Sequence, residues 1–514
     1  MLLTMTNRFS CFWLAAVSAA ALLGPATFAN AETLAEALAL AYRSNPQLQS
    51  QRALQRQLDE TYVQSRAGFR PTLNASGSTS YSDTGNAADR NTLGASVSAS
   101  QPLYTGGRVS AAVNAAEATV LAGRQSLRNL EQTILQQVIQ AYQDVLRDQQ
   151  IVVIRQQSVT VLGNQFDETT ARFEAGLLTR TDTARAEAQL AASRAQLSSA
   201  QAQLQISRAN YTTLVGQNPG ELVPPPTLPG LPADVDQAFQ AAEAANPNLR
   251  RAQIAEQASR FRVAQVRAQR RPTVSLQTSF GYNGTVDPLG AFDHALSASV
   301  VASQPIFAGG AISSQIRGSL EANNSDRILI EQARRLAVQQ VSQAWNQMLA
   351  AQGNITSNQQ AERAATVAFE GAQEQYQVGL STTLDVLLAQ DSLRIAQLTL
   401  VQSRRDLYVA QASLLNAMGR LDAASLMQGV PLYDPAESFE RVRDNGSVPW
   451  EAVVESLDSI GAPAPADPTR PIPATAPTTD APVLNTATQG PPALEGDVFS
   501  RVIPTGPAQS AATP

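Results

Sequence analysis

Along two long stretches of the chain, apolar residues recur on alternating steps of three and four. In the first, Ile134, Val138, Ala141, Val145, Val152, Val159, Leu162, Phe166 and Phe173 keep this rhythm, interrupted at Asp148, Arg155 and Thr169. In the second, Ala337, Val341, Ala344, Met348, Ala351, Ile355, Ala365, Phe369, Ala372 and Tyr376 keep it. A period near 3.5 predicts long helices packed side by side rather than around a globular core. Elsewhere the pattern switches to period two. Leu93, Ala95, Val97 and Ala99 alternate with Gly94, Ser96, Ser98 and Ser100, and Val274, Leu276, Phe280 and Tyr282 with Thr273, Ser275, Gln277 and Ser279. Such alternation predicts strands with one apolar and one polar face.

These elements occur twice. Asn45-Pro46 and Arg70-Pro71 return 201 residues later as Asn246-Pro247 and Arg271-Pro272. Gln101-Pro102-Leu103-Tyr104-Thr105-Gly106-Gly107 returns 203 residues later as Gln304-Pro305-Ile306-Phe307-Ala308-Gly309-Gly310. The same 203 carries Phe173-Glu174-Ala175-Gly176-Leu177 onto Tyr376-Gln377-Val378-Gly379-Leu380. An ordered series of this kind marks a tandem duplication. The first half is predicted to run helix 34–67, strands 71–81 and 92–104, a very long helix 108–173, a tight turn and a returning helix 182–215. The second runs 236–268, 272–283, 294–306, 311–376 and 385–418. A helix of about 65 residues is roughly 100 Å long at 1.5 Å per residue. The two shorter helices of each half match that length together, so they are expected to lie end to end beside it as a two-stranded rod.

Chain organisation follows. Residues 1–31 read as a leader, with Arg8 before an apolar run from Phe12 to Leu23 and a small-residue cut at Ala29-Asn30-Ala31. The repeats occupy 32–218 and 236–430, joined by a Pro-rich connector 219–235. A C-terminal segment 431–450 at the equator of the rods precedes a Pro/Ala/Thr-rich tail 451–514, expected to be disordered because it has little to bury.

Since every helix is committed to the rods, no helical layer remains for the apolar strand faces, and lipid is the expected cover. Tyr81, Tyr104, Phe280, Tyr282 and Phe307 fall toward strand ends, where an aromatic girdle belongs. No edge can stay unpaired in lipid, so four strands must be completed by other copies; three copies leave a water path, two do not. Beyond the leader no apolar run of 18 residues offers a transmembrane helix.

Composition narrows the chemistry. Losing Arg8 takes the net charge from −6 to −7, which argues against nucleic acid. Cys11, the sole cysteine, lies in the leader, and the one histidine, His294, is expected in a solvated inter-strand loop. Neither catalysis nor a metal or other cofactor is expected from so sparse a donor set. At the turns, Gly176 and Gly379 suit helix C-termini, and Thr179–Asp182 and Thr382–Asp385 read as capping boxes opening the returning helices.

The leader, the tandem halves, the paired Asn-Pro and Arg-Pro, the Gln-Pro-hydrophobic-aromatic-x-Gly-Gly motif and the x-Val/Ala-Gly-Leu turn together resemble the TolC family of outer membrane factors over residues 32–430. The resemblance implies an α+β membrane protein. Antiparallel coiled-coil helices would form a periplasmic α-barrel, and four strands per subunit would contribute to a twelve-stranded transmembrane β-barrel in a homotrimer. It implies a passive exit duct in the Gram-negative outer membrane, docked through a periplasmic membrane-fusion adaptor to an inner-membrane pump or ABC exporter. By the same resemblance Asp385 lines the periplasmic mouth, Tyr376 is an inter-helix link with Asp182 as its partner, and Gly176, Leu177, Gly379, Leu380 and Ser381 are adaptor-docking tips. Ser381 stands where some relatives place a linking arginine and Leu388 where they place a second acid, so a weaker lock is implied. A surface or periplasmic coiled-coil stalk or adhesin is the alternative, opposed by the hairpin set within each half.

Overall fold

The computed structural model describes residues 32–469, apart from 84, 86–89, 287–292, 428 and 430. The leader and residues 470–514 of the expected tail lie outside the described residues. Two units are distinguished, Met1–Asp467 and Pro468–Pro514; everything below concerns the first.

In chain order it contains α1 (Leu34–Ser44), α2 (Pro46–Arg66), β1 (Thr72–Ser82), β2 (Arg90–Tyr104), α3 (Arg108–Glu174), α4 (Arg180–Val215), α5 (Val235–Ala245), α6 (Pro247–Ala268), β3 (Thr273–Thr285), β4 (Asp293–Ser303), α7 (Ala311–Gln377), α8 (Thr383–Ala417), α9 (Ala423–Leu426), α10 (Pro435–Val442) and α11 (Glu451–Ser459). The predicted first helix of each repeat is thus two helices, broken at Asn45-Pro46 and Asn246-Pro247. The physical reason is the asparagine. Asn45 Oδ1 accepts from Gln47 N and Leu48 N at 2.9 and 3.4 Å, and Pro46 needs no partner for a missing N–H. Its Nδ2 donates to the Leu214 carbonyl at 3.1 Å, one of the orphan acceptors ending α4. Asn246 repeats this, with Nδ2 3.0 Å from the Ala417 carbonyl ending α8. One side chain therefore splices α4 onto α2, and its copy splices α8 onto α6, which is the end-to-end arrangement the lengths require.

The halves are not independent two-stranded rods: α3 packs on α2 and α4 of its own repeat and also on α6 and α8 of the other, whereas among the described residues α7 packs chiefly on α5, α6 and α8 of its own repeat. The main core lies part-way along α3, where Ile134, Leu135, Val138, Ile139 and Tyr142 meet Leu38, Tyr211 and Leu415. There the Tyr142 hydroxyl lies 2.8 and 2.6 Å from the carbonyls of Glu32 and Val223, and Tyr211 donates to Glu32 Oε1 at 2.5 Å. The start of the described chain and the inter-repeat connector are pinned by one buried polar knot.

The strands form one antiparallel sheet in the order β1-β2-β3-β4. Register puts Ala75, Val97, Phe280 and Leu296 in one row of one face, and Ser98, Ser279 and Ser297 in a row of the other. On the polar face hydroxyls bond across strands, Ser76 to Ser96 at 2.9 Å, Ser80 to Thr92 at 2.7 Å and Ser279 to Ser297 at 2.8 Å. Within one chain the apolar face is bare: Leu73 is 71% and Leu296 78% exposed. His294 corrects an expectation. It lies in β4 beside Tyr282, ring centroids 6.1 Å apart, rather than in a loop. The strand predicted to reach 306 stops at Ser303.

The expected start of the disordered tail at 451 is also corrected. Glu451–Ser459 is helical, and its acids are what hold it. Glu451 pairs with Arg66 and Arg70 at 2.9 and 3.0 Å. Buried Asp458 accepts from Thr105 N, Thr105 Oγ1 and Gly107 N through Oδ1 at 2.6, 2.8 and 3.1 Å. Its Oδ2 accepts from Ser110 N and Oγ at 3.3 and 2.8 Å. A carboxylate from the C-terminal segment thereby caps α3, satisfying orphan N–H groups at the positive end of a long helix.

Candidate functional site: the turn ends of the long helices

Both long helices end in the same turn. Gly176 and Gly379 take φ of 76° and 78°, which glycine adopts without steric cost. Leu177 N then donates to the Arg172 carbonyl at 2.9 Å and Leu380 N to the Gln375 carbonyl at 2.8 Å, closing the helix C-termini. Two residues on, Thr179 and Thr382 open the returning helices with complete capping boxes. Asp182 Oδ2 accepts from Thr179 N and Oγ1 at 3.1 and 2.6 Å, and Asp385 Oδ2 from Thr382 N and Oγ1 at 2.9 and 2.6 Å. Ser381 Oγ adds a bond to Asp385 at 3.3 Å. The Thr179 side-chain and backbone bonds hold Asp182 below the usual carboxylate range, and those of Thr382 do the same for Asp385. Both carboxylates are anions fixed in direction by a cap, Asp385 exposed and Asp182 half-buried.

The expected docking residues project: Leu177 is 74%, and Leu380 81%, exposed. Tyr376, by contrast, is buried, with the Arg172 guanidinium 4.6 Å from its ring centroid and Thr383 Oγ1 donating to its hydroxyl at 3.5 Å. Tyr376 and Asp182 are not joined within one chain. The contact that does tie the second repeat's tip to the first is Arg172 over Tyr376, and sequence reasoning missed it.

A second cross-repeat tie lies further up. Gln196 Oε1 on α4 accepts from Arg155 of α3 and, at 3.0 Å, from Arg394 Nη1 of α8, while Arg394 also pairs with Asp391. Burial first, and Arg394 second, push the Arg155 guanidinium below its ordinary value. Next to this group Leu162, Leu190 and Leu387 form a small core, beside an open cleft of about 600 Å³ that Leu388 also lines. The one signal in the sequence was Arg155 breaking the apolar seam; Gln196 and Arg394 carried none. Higher again, Arg405 bridges to Asp144 at 2.8 Å and Arg128 to Asp422 at 3.0 Å, so ion pairs lace the two halves along their length.

Among the described residues no group of three or more acids, histidines or cysteines could hold a metal ion, and no helix is long and apolar enough to cross a membrane. The strands alone offer a lipid-compatible face. Residues 37–217 and 238–420 each match the outer membrane efflux protein family, so the family's unit recurs over the two repeats. The chain belongs to that family. Outer membrane efflux protein BepC of Brucella suis is 35% identical over 417 residues, covering 81% of this chain and 91% of the relative. Outer membrane protein TolC of Escherichia coli is 26% identical, covering 79% and 86%. The fold matches the outer membrane channel CmeC of Campylobacter jejuni with a TM-score of 0.68 at 14% identity, over 81% of this chain and 90% of that one. This efflux protein is accordingly a TolC-type channel subunit of the outer membrane and not an enzyme, with its sheet in the bilayer and its helices extending into the periplasm. Two family matches separated by the connector, each holding its own hairpin, set the stalk or adhesin reading aside.

Proposed function

We propose that three copies close into a duct that carries substrates, driven by an inner-membrane efflux pump or type I exporter, out through the outer membrane. The observation that carries this is the open sheet. Its first and last strands, β1 and β4, each keep one unpaired edge, its apolar face is bare and its opposite face is lined with serine hydroxyls. Lipid tolerates neither free edge, so copies must pair edge to edge. Twelve strands would leave a water-filled lumen faced by the serines.

Leu177 and Leu380, with Gly176, Gly379 and Ser381 beside them, are the surface offered to a periplasmic adaptor, being apolar, exposed and rigidly displayed on closed turns. Asp385, repeated three times, forms an anionic ring at the mouth, where a narrow low-dielectric opening focuses its field. Tyr376, packed against Arg172, holds the second tip to the first, and Asp182 presents a matching fixed anion on the first turn. The domain boundaries proposed are a leader 1–31, repeats 32–218 and 236–430 about a connector 219–235, and a C-terminal segment that extends from 431 through α11.

Single-channel recording in planar bilayers tests the reading. Ohmic trimer channels selective for cations are expected, with selectivity lost in Asp385→Asn. Material that stays monomeric in mild detergent and never conducts would refute it. Cysteines at Leu177 and Leu380 should trap the adaptor in cells; capture only from positions half-way along the helices would move the docking site.

A further inference from the structure

α11 is built inside out. Its acids Glu451 and Asp458 are turned into the protein, 2% and 0% exposed, while Val453 and Ile460 are 60% and 64% exposed, with Trp450 and Leu457 exposed beside them. At 3.6 residues per turn, Trp450, Val453, Leu457 and Ile460 fall within an arc of about 80°, counting the cap residues, and no charge lies on it. Glu455 points roughly the opposite way, within electrostatic reach of Tyr62 and Arg66 near the end of α2. A helix surrounded by water would set its acids outward and its apolar stripe inward.

The anchors of this segment fix its course. Glu451 holds Arg66 and Arg70, where α2 gives way to β1. Asp458 holds Thr105, Gly107 and Ser110, where β2 gives way to α3. Just beyond, Arg267 Nη1 near the end of α6 donates to the Ala464 carbonyl at 3.0 Å, close to where α6 gives way to β3. The segment thus crosses three helix–strand junctions in turn, following the rim of the sheet rather than the direction of its strands. Two further bonds tie it to one face of that sheet. Trp450 Nε1 donates to Gln101 Oε1 at 3.1 Å, and the Tyr104 hydroxyl donates to the Ile460 carbonyl at 3.3 Å. Gln101 sits opposite Leu276, in line with Val97 opposite Phe280, and Tyr104, past a one-residue shift, sits opposite Val274. Both ends of the stripe are therefore fastened to the apolar face, the one that lipid covers.

We infer that α11 is an interfacial anchor, lying in the plane of the outer membrane on its periplasmic side with Trp450, Val453, Leu457 and Ile460 seated among phospholipid headgroups and upper acyl chains. This rests on the sheet's place in the bilayer and not on the number of copies. A second copy is the other cover for such a stripe. The contacts of α11 with β2 and α3 argue against it, because they set the helix over the interior of the chain's own sheet, away from the free edges of β1 and β4 where copies would pair. Among the described residues the second repeat has no such helix, and there Ile306 and Phe307, the repeat partners of Leu103 and Tyr104, stand bare at the same level. Apolar side chains therefore mark this rim in both repeats, continuous with the lipid-facing sheet. A tryptophan flanked by aliphatic side chains suits that boundary, where an amphipathic ring can sit at headgroup level. Stapled to α3 through Asp458, the anchor fixes the depth of the strands in the bilayer.

Tryptophan depth tests this. In the full-length chain with Trp13→Phe and Trp345→Phe, Trp450 is the only tryptophan left. In phosphatidylcholine vesicles it should emit to the blue. Lipid brominated high on the acyl chain should quench it at least about twofold more than lipid brominated near the chain end, since an interfacial helix lies about 5–10 Å into the headgroup and acyl boundary. Because Trp450 also bonds Gln101, a second probe, Leu457→Trp with Trp450→Phe in the same background, should report the same depth. Glu455→Trp with Trp450→Phe, on the opposite side, should be open to aqueous iodide instead. Blue emission that neither brominated lipid quenches would show a second copy on the stripe, and red emission open to iodide from both Trp450 and Leu457→Trp would show water there. Either result would overturn the anchor, while conductance of the same protein in planar bilayers reads the duct separately.

Discussion

Asp458→Ala removes the one buried carboxylate that caps the N-terminus of α3 from the C-terminal segment. Its loss strands Thr105 N, Gly107 N and Ser110 N, while the hydroxyls of Thr105 and Ser110 can turn to other acceptors. Deleting one partner of a buried charge-assisted set costs about 3–5 kcal/mol. Since about 1.4 kcal/mol is a factor of ten, opening of α11 should become roughly 10²–10³-fold or more easier. Hydrogen exchange over residues 451–459 reads this directly. Asp458→Asn keeps one acceptor oxygen and should lose roughly half as much, because its amide then faces the Ser110 N–H. The sign with pH follows from the carboxyl's environment. Burial raises its pKa, but bonds from Thr105, Ser110 and Gly107 outweigh burial and hold it below the usual range. A carboxylate depressed in the folded state gives its full stabilisation above the unfolded pKa and loses it as pH falls through the folded value. α11 should therefore stay docked through mild acid and loosen only below the ordinary carboxylate range. Unchanged exchange at 451–459 in Asp458→Ala would refute the capping argument.

Asn45→Ala and Asn246→Ala each remove an N-cap and the bond to the last turn of α4 or α8, and each should destabilise its splice by about 1–3 kcal/mol, read as raised exchange at 47–49 or 248–250. Gly419→Ala should be worse than its position after α8 suggests: φ is +72° and a Cβ would lie 2.5 Å from the Ala245 carbonyl oxygen. The left-handed backbone alone costs about 1–2 kcal/mol, so a lowered yield of heat-stable oligomer is expected, and wild-type yield would count against it. Arg172→Gln should free the second tip by removing the cation from the Tyr376 ring, seen as faster protease cleavage near 376–383 with the barrel intact. The cation selectivity proposed for Asp385 should persist through mild acid, because its Thr382 bonds favour the charged form; loss of selectivity well above the ordinary carboxylate range would contradict the cap.

What the sequence determined by itself was everything that repeats or alternates. Period 3.5 marked α3 and α7, period two marked the strands, and the offsets of 201 and 203 placed both copies of every turn. The capping boxes at Thr179 and Thr382 were legible because a cap is local, spanning four residues. Asn45-Pro46 carried its break in plain view, as an N-cap followed by proline, but the bond from Asn45 to Leu214 that makes it a splice joins residues 169 apart. Tertiary structure alone decided the rest. Asp458 reaches Thr105 across 353 residues, Arg394 reaches Gln196 across 198, and Arg172 meets Tyr376 from the other repeat. Such single polar contacts have no period, and an arginine or aspartate on a helix face looks the same whether it meets water or a partner. Only the packing of α3 against the second repeat, and of α11 back onto the first, makes these side chains neighbours.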